Sequence, residues 1–82
     1  MPTFLDHHPM PPMSPEAQEG IAGKLRAGER DEHGVKGLSL YVSNDHAYCV
    51  SDAPDAKSVV AAHRALGFEI QPDAVVEVHA VV

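Results

Sequence analysis

Hydrophobic and polar positions along the chain switch between strand and helix periods four times, and turn residues divide the central strand-like stretch in two. Thr3 to His8 predicts a short strand: Phe4 and Leu5 are good strand formers, and Pro9, Pro11 and Pro12 stop it. Ser14-Pro15-Glu16 opens a helix, with a hydroxyl N-cap, proline at the first helical position and an acid in the first turn. Ala17, Ile21 and Leu25 recur at a spacing of four and mark one apolar face. Gly20, Gly23 and Gly28 each weaken this helix by roughly 1 kcal/mol relative to alanine, so it must lean on tertiary packing. Gly34, after His33, is the expected C-terminal cap.

Val35 to Val42 predicts a second strand, with Leu38, Leu40 and Val42 on one side and Ser39 and Tyr41 on the other. Ser43-Asn44-Asp45-His46 supplies turn residues, and Ala47 to Ser51 returns as a third strand. Pairing Val42 with Ala47 sets Leu40 opposite Cys49 and Tyr41 opposite Tyr48, which places Cys49 among aliphatic residues and both tyrosines on the other face. A second helix begins near Pro54 or Asp55 and ends at Leu66, capped by Gly67, with Ala56, Val59, His63 and Leu66 on one stripe. After Pro72 a last strand, from about Ala74 to Val81, alternates Val76, Val78 and Ala80 against Glu77 and His79. The order β-α-β-β-α-β predicts an α+β, ferredoxin-like domain: a four-stranded antiparallel sheet with two helices on one face.

At 82 residues the chain is expected to form one domain spanning 1–82. So small a domain buries only about 60–65% of its unfolded surface, and a single thiol, Cys49, excludes an internal disulfide as a staple. Oligomerisation and bound metal are the remaining remedies, and a homodimer is the default expectation. A formal charge of −6 repels nucleic acid and anionic lipid and attracts cations. No apolar stretch approaches the ~20 residues that cross a bilayer. Met1-Pro2-Thr3-Phe4 carries no signal-like segment. A soluble, cytoplasmic protein is expected, and the lone thiol agrees with a reducing compartment.

The composition is unusual in its donors: six histidines and twelve carboxylates against one cysteine. Imidazole and oxygen suit borderline ions such as nickel, copper or zinc, whereas closed structural zinc sites usually want paired thiolates. The first and last strands are expected to be neighbours. With Val76, Val78 and Ala80 against the helices, Glu77 and His79 face away from them. Asp6 and His8 then join Glu77 and His79 on the open face, with Leu5 and His7 on the helix side; same-side residues about 6.6–6.8 Å apart can share an ion. His7 and His8 are adjacent and point to opposite faces. His33 fits a helix C-terminus, where an imidazolium meets the dipole favourably. His46, beside Asp45 in a turn, can hold a weak peripheral ion. His63 lies on an apolar stripe, either as a hydrogen-bonded core histidine or as a nitrogen–sulfur couple with Cys49. Cys49 alone reads as a small buried hydrophobe. Asp6, His7, His8, His33, His46, His63, Glu77 and His79 form the candidate ligand set. No CxxC, HExxH or glycine-rich phosphate loop occurs.

Several runs resemble a family of small bacterial ferredoxin-like proteins that includes an actinobacterial nickel-binding protein. They are Thr3-Phe4-Leu5-Asp6-His7-His8, Ser14-Pro15-Glu16, Tyr48-Cys49-Val50-Ser51-Asp52-Ala53-Pro54-Asp55-Ala56 continuing to His63-Arg64-Ala65-Leu66-Gly67, and Val76-Glu77-Val78. The resemblance covers nearly the whole chain. It implies a homodimer that binds nickel ion without catalysis, for sequestration or protection against excess metal. Asp6, His8, Cys49 and His63 look most family-like, while the glycine-bearing first helix departs from the family, and His46 and His79 look particular to this sequence. Donor chemistry alone does not select nickel over copper. The alternative is an enzyme on the same fold, and it has two versions. One is a dimeric α/β-barrel oxygenase or isomerase using His8, Tyr48 or His79 as an acid–base group; the other is a tautomerase using Pro2 as an N-terminal amine. A third reading is an interaction module that docks a partner on its open face.

Overall fold

The computed structural model describes residues 1–81. The elements are β1 (Thr3–Pro9), α1 (Pro15–Ala27), β2 (Lys36–Val42), β3 (His46–Asp52), α2 (Ala56–Ala65) and β4 (Val75–Val78), with a 3₁₀ turn at Pro72–Ala74 leading into β4. The strands form one antiparallel sheet in the order β2-β3-β1-β4. This is the ferredoxin-like βαββαβ arrangement expected from the sequence, and β1 and β4 are neighbours. No helix among the described residues is long and apolar enough to cross a membrane.

Local chemistry sets the boundaries. The Ser14 hydroxyl accepts the Ala17 N–H at the start of α1, and the Asp55 carboxylate accepts the Ser58 N–H at the start of α2. α1 ends at Gly28 rather than running on to Gly34: Gly28 adopts φ +69°, and its N–H returns to the carbonyls of Lys24 and Leu25. His33 therefore lies in a loop, not at a helix C-terminus. The Asp31 carboxylate organises that loop by accepting the N–H groups of His33 and Val35.

The β2–β3 register is the expected one, with Val42 opposite Ala47, Tyr41 opposite Tyr48 and Leu40 opposite Cys49. An irregularity between Gly37 and Ser39 takes Leu38 out of the ladder and leaves it exposed. β4 is shorter than expected. It begins at Val75, because the 3₁₀ turn occupies the residues before it, and its pairing with β1 ends at Thr3 opposite Val78. His79 and Ala80 lie beyond the strand and are exposed.

The faces of β1 and β4 are the reverse of those expected. Phe4, Asp6 and His8 are buried on the helix side, while Leu5, His7 and Pro9 are exposed. Val75, opposite Asp6, joins them on the helix side, so Val76 and Val78 turn to the open face. The reason lies in the core, where Phe4 and Val75 pack with Val35, Ala53, Val59, Ala62 and Ile70. Once Val75 is inside, the period of two sends Val76 out. Leu66, placed by the sequence on the apolar stripe of α2, is exposed; Ala62 is buried instead.

Candidate metal centre

Two strands, β1 and β3, meet beneath α2. The alternation of β1 points Asp6 and His8 toward the helix layer, and the antiparallel register sets Cys49 of β3 directly opposite Asp6. From above, α2 is anchored by Val59, which is fully buried, and His63 follows one turn later over the same spot. One donor atom each from Asp6, His8, Cys49 and His63 lies within 4.8 Å of all the others. Among the described residues this is the one group of three or more metal-ligating side chains that close together.

Asp6 is the unusual member. It is 0% exposed, and neither carboxylate oxygen has an aligned hydrogen-bond donor. Its nearest partner is His63, whose Nε2 lies 3.2 Å from Oδ1. The distance makes an ion pair, although the angle falls short of a well-formed hydrogen bond. A buried carboxylate without donors is expensive unless a positive charge sits beside it. The imidazole supplies that charge. Burial opposes protonation of His63, but the Asp6 carboxylate, the Cys49 sulfur and the Val59 carbonyl outweigh it and push the imidazole up to about 10.

Both imidazoles are held by their far nitrogens. His63 Nδ1 donates to the Val59 carbonyl at 2.9 Å, and His8 Nδ1 donates to the Pro9 carbonyl at 3.0 Å. In each ring this turns Nε2 toward the cluster, which is how metal-bound histidines are usually fixed; in His63 that nitrogen is paired with Asp6, and an ion must displace its proton to bind there. The His8 ring also packs against Phe68, with centroids 4.9 Å apart, and edge-on to His63 at 5.3 Å. The site is walled before any ion arrives.

Donors bound to one first-row ion at about 2.0–2.3 Å are separated by at most about 4.6 Å. The 4.8 Å limit observed therefore asks only for small side-chain movements. Two nitrogens, one oxygen and one sulfur make a set of borderline softness, with Asp6 and a Cys49 thiolate matching the charge of a dication. The residues present fit a transition-metal ion.

Of the candidate ligands, Asp6, His8 and His63 meet here, and the open-face cluster with Glu77 and His79 does not form. Glu77 pairs with Phe4, two positions along β1 from Asp6, and is exposed. His79 lies past the end of β4. His33 is 3.7 Å from Glu32 in its loop, and His46 is 3.2 Å from Asp45 at the start of β3. His7 points to the open face, opposite His8. Cys49 is brought in: the candidate ligand set left it out, although the sequence offered it as a nitrogen–sulfur couple with His63 and among the family-like positions. Its place opposite Asp6 comes from the pairing of β1 with β3.

No curated protein and no solved structure matches the chain. A family model does, over residues 4–78, which takes in β1, the centre and β4. The chain belongs to the family described as nickel responsive protein SCO4226-like.

Proposed function

We propose that the protein binds nickel(II) at the Asp6, His8, Cys49 and His63 centre and serves in sequestration or detoxification rather than catalysis. The observation that carries this reading is a fully buried carboxylate with no aligned hydrogen-bond donor, gathered with one thiol and two imidazoles into a single group of four donors. The family description supports nickel as the cargo. Four protein donors close a coordination shell, whereas metal sites that perform catalysis keep a position open for water or substrate. A shallow cleft lined by His7, His8, His46, Glu69 and Asp73 gives cations a route to the His8 side of the centre, and its carboxylates favour their approach.

The same reading includes a homodimer in the cytoplasm. Leu5, Tyr48 and Val76 lie together on the uncovered face of the sheet, an apolar surface of the kind that a second copy buries. A thiolate ligand needs reduced sulfur, which a reducing compartment provides.

The test is a titration of the metal-free full chain with nickel chloride, followed by calorimetry and by the thiolate-to-nickel charge-transfer absorption. The expected result is tight uptake with a sulfur band. Cys49→Ser abolishes the band, and His63→Gln weakens uptake by at least the roughly 10–100-fold that losing a supporting hydrogen bond costs. Nickel uptake unaltered by both substitutions would overturn the reading. Competition with copper, zinc and cobalt ranks the ions, since donor chemistry alone favours copper.

A further inference from the structure

Phe68 connects the two histidines of the buried centre, and the core does not account for its place. The chain leaves α2 through a left-handed glycine. Gly67 adopts φ +90°, its N–H returns to the Arg64 carbonyl at 3.0 Å, and the Phe68 N–H returns to the His63 carbonyl at 2.9 Å. This double return closes a helix and fixes the direction in which the following residue leaves it. The carbonyl that receives the Phe68 N–H belongs to a donor residue, so the backbone of Phe68 is tied to the position of His63.

Its ring lies against the other imidazole. The Phe68 and His8 centroids are 4.9 Å apart with the planes tilted by 31°, while the His63 ring stands at 77° to His8 with centroids 5.3 Å apart. The Phe68 side chain is half-buried and is not a member of the core that Ile70, two residues on, completes. His8 has need of such a wall. The last torsion of a histidine side chain is broad, and the hydrogen bond from Nδ1 to the Pro9 carbonyl is a point contact about which the ring can still swing. A flat apolar group across its face removes that freedom.

We propose that Phe68 is the positioning residue of the centre: its ring holds the His8 imidazole in the orientation that turns Nε2 toward the other donors, and its backbone ties that ring to the end of α2 that carries His63. The proposal rests on the reading of Asp6, His8, Cys49 and His63 as a metal centre and adds a residue that donates nothing to the ion. Because the order is set before an ion arrives, it is measurable in the metal-free chain as well.

Carbon-13 relaxation of the His8 ring in the metal-free full chain is expected to report a restricted imidazole in the wild type and in Phe68→Tyr, which keeps the ring. Phe68→Ala, and the gentler Phe68→Leu that keeps an apolar side chain without a flat face, should free it. In nickel chloride titrations both should weaken uptake by about tenfold, the lower end of the range for losing a partner that orients a ligand, while Phe68→Tyr retains wild-type affinity. Val35→Ala trims the core without removing a donor or a ring of the centre, and should lower stability while leaving affinity unchanged. An unchanged His8 ring, or unchanged nickel affinity, in Phe68→Leu overturns the proposal, as does an affinity loss that Val35→Ala reproduces. A wild-type chain that takes up no nickel refutes the centre as a nickel site, and release of the His8 ring in Phe68→Leu then still supports the positioning role.

Discussion

Replacing Asp6 with asparagine in the metal-free protein should change how stability depends on pH more than it changes the fold. In the folded chain His63 is raised to about 10 from an ordinary value of 6.5, and the Asp6 carboxylate 3.2 Å away is the largest favourable cause. A group whose folded value lies above its unfolded one adds stability that is complete below the unfolded value. That stability drains away as the pH climbs toward the folded value. For His63 the window runs from pH 6.5 to about 10. The slope of one proton is about 1.4 kcal/mol per pH unit at most. The imidazole side chain is only 12% exposed, yet water at the rim of the site screens part of the interaction, so roughly 2 kcal/mol in total is a sounder figure. Asp6→Asn removes the charge, and His63 can then shed its proton instead of remaining an isolated buried cation. This relief keeps the cost at neutral pH to about 1–3 kcal/mol, below the 3–5 kcal/mol of a pair broken with no escape. Urea unfolding of both proteins in metal-free buffer at intervals from pH 6 to 10 measures the difference, and proton-detected titration of the His63 ring gives its midpoint directly. The two stability curves should converge as the pH rises. Parallel curves across that window, or a wild-type His63 midpoint near 6.5, would refute the pairing.

Two further outcomes follow from packing. Leu5 and Val76 stand directly opposite on the uncovered sheet face. In sedimentation the wild-type chain should run as the proposed homodimer, and Leu5→Glu with Val76→Glu as a monomer with unchanged helical circular dichroism; a wild-type monomer refutes the dimer. Val59 is fully buried at the centre of the core, so Val59→Ala should lower stability by about 2 kcal/mol in urea unfolding and loosen the seat of His63 one turn on.

The order of elements was legible because each carries a local signal. Pro15 and Ser14 mark one helix start, Asp55 and Gly67 bracket the other helix, and the turn at Ser43–His46 fixes the β2–β3 register. The facing of β1 and β4 was not legible. Both strands carry apolar residues on each side, Phe4 and Leu5 in one and Val75 and Val76 in the other, so the rule that apolar residues face the helices has no unique answer. The outcome was decided by which residues complete the core with Val59 and Ile70, a property of the assembled layers. The centre inherits this. That Asp6 and His8 share a face followed from their spacing, but which face, and therefore whether Cys49 and His63 or Glu77 and His79 join them, depended on that choice. The short β4 was hidden for a similar reason: the alternation of apolar and polar residues runs on through Ala80, but β1 begins at Thr3, which gives Val78 its last partner.

The first helix has a consequence of its own. α1 buries none of its residues, carries two interior glycines, and rests on β2 at the far margin of the sheet, whereas the four donors come from β1, β3 and α2. Such a segment is expected to detach on its own at a free energy well below that of global unfolding. Amide protons of α1 should therefore exchange early and those of β1 late. The ion-holding corner would keep its shape while the opposite flank breathes, so cargo retention and whole-molecule rigidity are separable properties in this chain.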